Sequence, residues 1–448
     1  MPEMSADGKP GLFAVTATSL DDDGAGVAQR DGLTVHVAEL LPGEQARVQV
    51  VHKSPHHPTV WARVVAQLGP PSPDRVQPAC PAFGRCGGCP WQHLAYPAQL
   101  ATKQRRVAAA LDGLIVPEPV TPSPRQLGYR HKGKYVAGRS KGHLALGAWA
   151  PRSHDFVDTT GCRAVTAGIE RARAAVVTAA AAAGLAPANE RHGTGALRYV
   201  IIRQARGGDV LIGLVVRSTA AGPAVDATAA ALAATPGVVG VVRLDNDRTD
   251  GGLVDGAAVP LVGVATLDDE VAGVPVALGA TEFAQVNPAQ ADQLYAHVAH
   301  LVAAAPGERI ADVYAGLGGI AFSLARAGAE VVAVERDRDA VAALTAAAAR
   351  AELTSITARI GDATLLADGG PPLAAVVVNP PRKGCSPATL AAVSASAASR
   401  LVYVSCGPES LARDLHALVA AGWRVDHARP FDLMPGTAQV ETIVRAVR

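Results

Sequence analysis

Asp312-Val313-Tyr314-Ala315-Gly316-Leu317-Gly318-Gly319 is the stretch that decides the fold. An apolar strand at 309–313 runs into a glycine-rich turn and then into a helical segment at 320–326. A ligand can approach bare backbone there, with a helix N-terminus facing it. Outward from this turn, strand segments at 330–334, 355–360, 374–378 and 401–404 alternate with helical segments at 340–350 and 409–421. This rhythm predicts a doubly wound parallel sheet. The runs 424–431 and 439–447 have no helix between them and are expected to close the sheet as an antiparallel pair.

The chain has 448 residues, enough for two or three domains of ~150 residues. With 49% hydrophobic and 18% charged residues it can bury a large core, which excludes a disordered chain. The longest small-apolar run, 174–186, falls short of the ~20 residues of a membrane span, so none is expected. The N-terminus lacks the basic start and apolar stretch of a secretory signal, and a cytoplasmic location is expected. Residues 1–68 alternate apolar and polar positions, with glycine turns expected at Gly24, Gly26 and Gly43, which predicts a small barrel ending at the joint Pro70-Pro71-Ser72-Pro73. Residues 122–278 mix strands, such as 199–203 and 210–214, with Ala-rich helices, an α+β pattern. The expected fold class is therefore multidomain α/β: a barrel at 1–68, a cysteine segment with a central α+β domain at 69–280, and a Rossmann-like domain at 281–448.

Lys and Arg number 41 against 40 Asp and Glu, so global charge does not hold this chain to a polyanion. Locally, residues 101–160 carry ten Lys or Arg against four Asp or Glu. Within them Arg130-His131-Lys132-Gly133-Lys134, flanked by Tyr129 and Tyr135, is a candidate RNA-binding strand, since basic and aromatic side chains together suit phosphate contact and base stacking. An ordinary solvated strand is the competing reading.

Glu335 ends the second strand nineteen residues after Gly316, where a carboxylate can accept hydrogen bonds from ribose hydroxyls, and Asp362 follows the third strand at the adenine position of such folds. The turn lacks the regular glycine spacing of NAD-binding folds. Asn379-Pro380-Pro381-Arg382-Lys383-Gly384 leaves the fourth strand as a stiff polar loop with few main-chain donors. Tyr403-Val404-Ser405-Cys406-Gly407-Pro408 puts a thiol at the crevice just before a helix, where the helix N-terminus is expected to lower its pKa for nucleophilic attack. Cys385 reads as an inert small hydrophobe. Cys80, Cys86 and Cys89 cluster within ten residues, which reads as a metal site rather than a disulfide scaffold.

On these motifs the chain resembles the S-adenosyl-L-methionine (SAM)-dependent RNA 5-methyluridine methyltransferases, and the resemblance spans nearly its whole length. Gly24-Ala25-Gly26-Val27-Ala28, Leu41-Pro42-Gly43-Glu44 and Ser72-Pro73-Asp74-Arg75 are similar to the family's TRAM domain, an OB-like RNA-binding barrel. Phe283-Ala284-Gln285-Val286-Asn287 matches its Phe-x-Gln-x-Asn signature, and Gln439-Val440-Glu441-Thr442 its C-terminal motif. The resemblance implies SAM contacts at Gln285, Tyr314, Gly319, Glu335, Asp362 and Asn379, with Cys406 as nucleophile and Glu441 as base. It implies a [4Fe-4S] cluster on Cys80, Cys86, Cys89 and the distant Cys162, an all-thiolate set that suits iron and sulfide, with structural zinc as the alternative. Two departures stand out: most members have Asp at the place of Asn379, and the usual Cys and Asn of the SAM turn are Ala315 and Gly319 here. The implied partner is RNA, 23S ribosomal RNA ahead of transfer RNA, methylated by a monomeric enzyme. A non-catalytic RNA-binding or assembly factor that keeps the fold is the rival reading; retention of both Cys406 and Glu441 counts against it.

Overall fold

A computed structural model describes residues 12–189, 192–220, 222–248, 255–367 and 371–448. Residues 1–11, on which the reading of the N-terminus rests, lie outside these. The C-terminal sheet has seven strands in the order Ile356–Ile360, Glu330–Glu335, Arg309–Val313, Ala375–Val378, Arg400–Ser405, Glu441–Val447 and Arg424–Phe431. The first five are parallel, and Glu441–Val447 runs antiparallel to both of its neighbours. The closing strand Glu441–Val447 is inserted between Arg400–Ser405 and Arg424–Phe431. Continuous apolar runs such as Ala375–Val378 are buried throughout, as strands covered on both faces must be.

One helix has no counterpart in the strand-helix rhythm. Pro387–Ala395 lies between the fourth and fifth strands, started by Ser386, whose hydroxyl accepts from the Thr389 amide, and by a proline in its first turn. The hairpin Leu267–Val271 and Val274–Leu278 sends Val274, Val276 and Leu278 into the same core as Phe322 and Leu344. That core runs under the glycine turn.

At the N-terminus six strands form one sheet around Val35, Val37, Leu40, Val48 and Val60. Leu33–Ala38 pairs parallel with Thr59–Gln67, and the remaining pairs are antiparallel. Gly24 and Gly43 take positive φ in turns as expected. Gly26 does not: it lies inside the strand Ala25–Arg30, where a Cβ would stand 2.5 Å from the Leu40 carbonyl oxygen. Close backbone approach, rather than a turn, requires that glycine. The central seven-stranded sheet packs the helices Ala167–Ala182 and Pro223–Leu232 over one face. Among the described residues no helix is long and apolar enough to cross a membrane.

Candidate active site

Parallel strands deliver their C-terminal residues to one edge of the sheet, and five of the singled-out side chains arrive there for that reason. Tyr314 follows the first strand with φ of 66°, and its hydroxyl meets the Thr389 hydroxyl at 3.1 Å. Gly316 and Gly318 take φ of 55° and 92°, and nothing lies within 4 Å of a Cβ placed on Gly316, so the turn is an open cradle. Glu335 spans its mouth. Its carboxylate accepts from the Gly316 amide at 3.0 Å, from Arg336 at 2.7 Å and from Asp337 at 3.0 Å. Asp362 accepts from the Thr364 hydroxyl at 2.6 Å and from Arg336 at 2.7 Å, and these partners hold its carboxyl down at about 2. Asn379 leaves the fourth strand, its amide bonded to the Val313 carbonyl at 3.2 Å.

Gly319 starts the helix Gly319–Arg326, and a Cβ there would meet the Tyr295 ring at 2.5 Å. The aromatic ring takes the space of a side chain at that position. Beneath the turn Asp312 is fully buried without a side-chain partner, and burial pushes it up to about 8 while the Ala321 amide draws it down. Gln285 comes from outside the sheet, on the segment between the hairpin and the helix Pro288–Val302, and lines a small cavity with His131, Lys132, Arg203 and Tyr295. Asn287 caps that helix and donates to Ser123 and to the Leu433 carbonyl, a structural use of the motif's last residue.

Cys406 and Glu441 are brought together by strand register. Arg400–Ser405 pairs antiparallel with Glu441–Val447, ending at Ser405 opposite Thr442, so Cys406 and Glu441 are the next residues across the same ladder. The expected lowering of the Cys406 pKa is overturned. Burial raises it, the Glu441 carboxylate raises it further, and Arg382 pulls the other way. The helix end gives little help because Pro408 has no amide hydrogen and the Gly407 amide is taken by the Ser405 hydroxyl at 3.2 Å. Burial likewise pushes Glu441 up to about 7, again opposed by Arg382. The Glu441 carboxylate therefore resists ionisation of the neighbouring thiol, while Arg382 favours the charged form of both groups. Arg382, which had no role in the reading of the Asn379-Pro380-Pro381 loop, serves both and also donates to Gln439 at 2.9 Å. Its place three residues beyond Asn379, on the stiff exit, was the available signal. Cys385 is buried and pushed up to about 12, first by burial, in keeping with an inert role.

The candidate RNA strand needs correction. Tyr129 and Tyr135 are 2% and 4% exposed, so they belong to the core and offer no stacking surface. The Tyr129 hydroxyl instead donates to the Pro435 carbonyl at 3.0 Å. Lys132 is spent on the carbonyls of Thr281 and Glu282, and burial brings it down to about 7.

All six cysteines are free. Among the described residues no three His, Cys, Asp or Glu side chains are grouped to hold a metal ion. The thiols of Cys80, Cys86, Cys89 and Cys162 nevertheless lie near enough to act on one another: Cys86 is raised by burial and then by Cys162 and Cys80. Cys89 is pushed up to about 11, first by burial and also by Cys162 and Cys86, with Arg130 drawing it down. The Arg130 Nε is buried without a partner beside them.

Residues 372–447 match the family model described as tRNA (Uracil-5-)-methyltransferase. An uncharacterized RNA methyltransferase of Halalkalibacterium halodurans is 30% identical over 445 residues, covering 97% of this chain and 96% of the relative. Another, of Thermosynechococcus vestitus, is 33% identical over 443 residues, covering 95% of each. Among solved structures, the tRNA (uracil-54, C5)-methyltransferase of Pyrococcus abyssi, in complex with S-adenosyl-L-homocysteine, superimposes with a TM-score of 0.78 over 97% of this chain and 100% of that one, at 22% identity.

Proposed function

Because the chain belongs to the SAM-dependent RNA uracil-C5 methyltransferase family, we propose that it methylates carbon 5 of one uracil in 23S ribosomal RNA through a covalent adduct with Cys406. The observation that carries this reading is that Cys406 and Glu441 follow the last pair of one ladder, at the same edge of the sheet as the open glycine cradle. The cradle suits SAM: Gly316 is open to a ligand, Glu335 and Asp362 present carboxylates, and Tyr314, Asn379 and the Gly319 backbone border them. Gln285 lines a neighbouring cavity that shares Tyr295, the ring against Gly319, so its contact with SAM rests on the resemblance. SAM, when bound, supplies a methyl group on a positively charged sulfur.

The chain's residues do the rest. The Cys406 thiolate adds to carbon 6 of the uracil, and the electron pair of the carbon 5–6 double bond moves onto the carbonyl oxygen as an enolate. Carbon 5 of that enolate takes the methyl group, and the sulfonium leaves as a neutral thioether. Glu441 then takes the proton from carbon 5, the double bond reforms, and the carbon–sulfur bond to Cys406 breaks to return the thiolate. Arg382, facing both groups, favours the thiolate and the carboxylate over their neutral forms. A stacked base cannot present carbon 6 to a thiol, so the uridine is flipped out.

The four thiols suit a [4Fe-4S] cluster held by Cys80, Cys86, Cys89 and Cys162, the all-sulfur donor set and the adjacent Arg130 cation favouring an anionic cluster. Held there, such a cluster would serve structurally, the four cysteines tying the cysteine segment to the central domain. Cys162→Ser is expected to lose the brown colour of anaerobically purified protein and to weaken RNA binding, while SAM affinity stays within about threefold. One zinc per chain in a colourless anaerobic preparation would exclude the cluster. The choice of ribosomal RNA rests on the cysteine set and the N-terminal sheet, by resemblance; the family model's description favours transfer RNA as the second reading. Mass-spectrometric mapping of 5-methyluridine in RNA from a deletion strain decides between them. The proposal expects loss of one 23S modification, and loss in transfer RNA alone would contradict it.

A further inference from the structure

The helix Tyr96–Ala110 follows the cysteine segment and buries Gln99, Lys103 and Val107, one stripe at a spacing of four. Two of those three residues are polar, and Lys103 is completely buried. A stripe of this kind must satisfy its polar groups on whatever it faces. It faces the turn at 432–437, which joins the last two strands of the catalytic sheet and leads into Glu441. The Lys103 ammonium donates to Asp432 at 2.6 Å and to the Met434 carbonyl at 3.2 Å. Gln99 accepts from the Gly436 amide at 2.8 Å, and the Trp91 amide donates to the Gly436 carbonyl at 2.8 Å. Tyr129 donates to Pro435, Asn287 to Leu433, and the Asp432 amide to Thr121. All of these partners come from before the catalytic sheet begins at Arg309. The turn also touches the cysteines: a Cβ on Gly436 would stand 3.3 Å from Gln92 and 3.6 Å from Cys89.

We propose that the cysteine segment and its helix brace the turn that delivers Glu441, with the buried Lys103–Asp432 pair as the positioning element of the brace. Glu441 is paired with Phe431 in the sheet, and it follows a turn whose backbone hydrogen bonds are made largely to another part of the chain. Loss of the pair lets the turn relax and moves the Glu441 carboxylate relative to Cys406, a displacement to which proton abstraction is sensitive. This inference rests on the reading of Glu441 as base.

Two variants test it. Asp432→Asn keeps the side chain's shape and weakens the ion pair. The double variant Lys103→Met with Asp432→Leu replaces both charges by apolar groups, which buried pairs generally tolerate, whereas removing either charge alone leaves the other unpaired. Hydrogen–deuterium exchange on the full chain should show the amides of Met434, Gly436 and Thr437 exchanging at least about tenfold faster, with the strand Arg400–Ser405 unchanged. With SAM and RNA, turnover should fall roughly 10- to 100-fold while a protein–RNA adduct accumulates, and SAM affinity should stay within about threefold. Unchanged exchange in the turn, or wild-type turnover without adduct, would overturn the brace. Glu441→Gln run alongside separates the two ideas: full turnover without adduct in that variant removes the base assignment, while the exchange data judge the brace independently.

Discussion

Replacing Cys406 with Ala is expected to abolish methyl transfer, a loss on the order of 10⁴-fold or more, with SAM affinity within about threefold of wild type. Carbon 5 of uracil is too weak a nucleophile to take a methyl group unaided, and the thiolate is what makes it an enolate. In the proposed reading the methyl donor sits in the glycine cradle after Arg309–Val313, whereas Cys406 follows Arg400–Ser405, so the two functions separate on the sheet. Fluorescence or calorimetric titration of SAM, paired with a methyl-incorporation assay, reads both. Equal loss of SAM binding would take Cys406 out of the chemistry and make it part of the donor site.

Glu441→Gln is expected to trap the reaction after methyl transfer, leaving a denaturation-resistant protein–RNA adduct and a turnover lower by roughly 10²- to 10⁴-fold. The amide keeps the shape and cannot take the carbon 5 proton. The sign of the pH dependence follows from the same group. Burial raises the Glu441 carboxyl to about 7, so the base is protonated and idle below that pH and active above it. Wild-type turnover should therefore rise between about pH 6 and pH 8, the raised Cys406 thiol adding to the same trend. A single-turnover pH profile measures this, and a flat profile would contradict a carboxylate base.

The catalytic sheet was legible because parallel strands alternate with helices in a rhythm that survives the Ala-rich composition. The seven strand segments were all foreseen, including the antiparallel closing pair. The helix Pro387–Ala395 was missed although Ser386-Pro387 is a helix-start signal, because its Ala-rich sequence has no clear apolar stripe to follow it. Tyr129 and Tyr135 misled through their neighbours. In the strand Lys132–Ser140 the period of two puts Gly133 and Tyr135 on the buried face and Lys134 on the other, so basic and aromatic residues adjacent in sequence never share a surface. Cys406 was singled out by its motif, but its raised pKa depends on register: Glu441 stands opposite because Glu441–Val447 inserts beside Arg400–Ser405, a pairing with no local signal. Lys103 shows the same limit. A lysine in a helix reads as solvated until its partner Asp432, 329 residues on, is seen beside it.

The central claim is methylation at carbon 5 through a carbon 6 adduct, and release of tritium from RNA labelled at carbon 5 of uridine tests it most directly. With wild-type protein and SAM, one tritium should reach water for each methyl group incorporated, and Cys406→Ala should release none. Methyl incorporation without tritium release would place the methyl group on another atom and contradict the account.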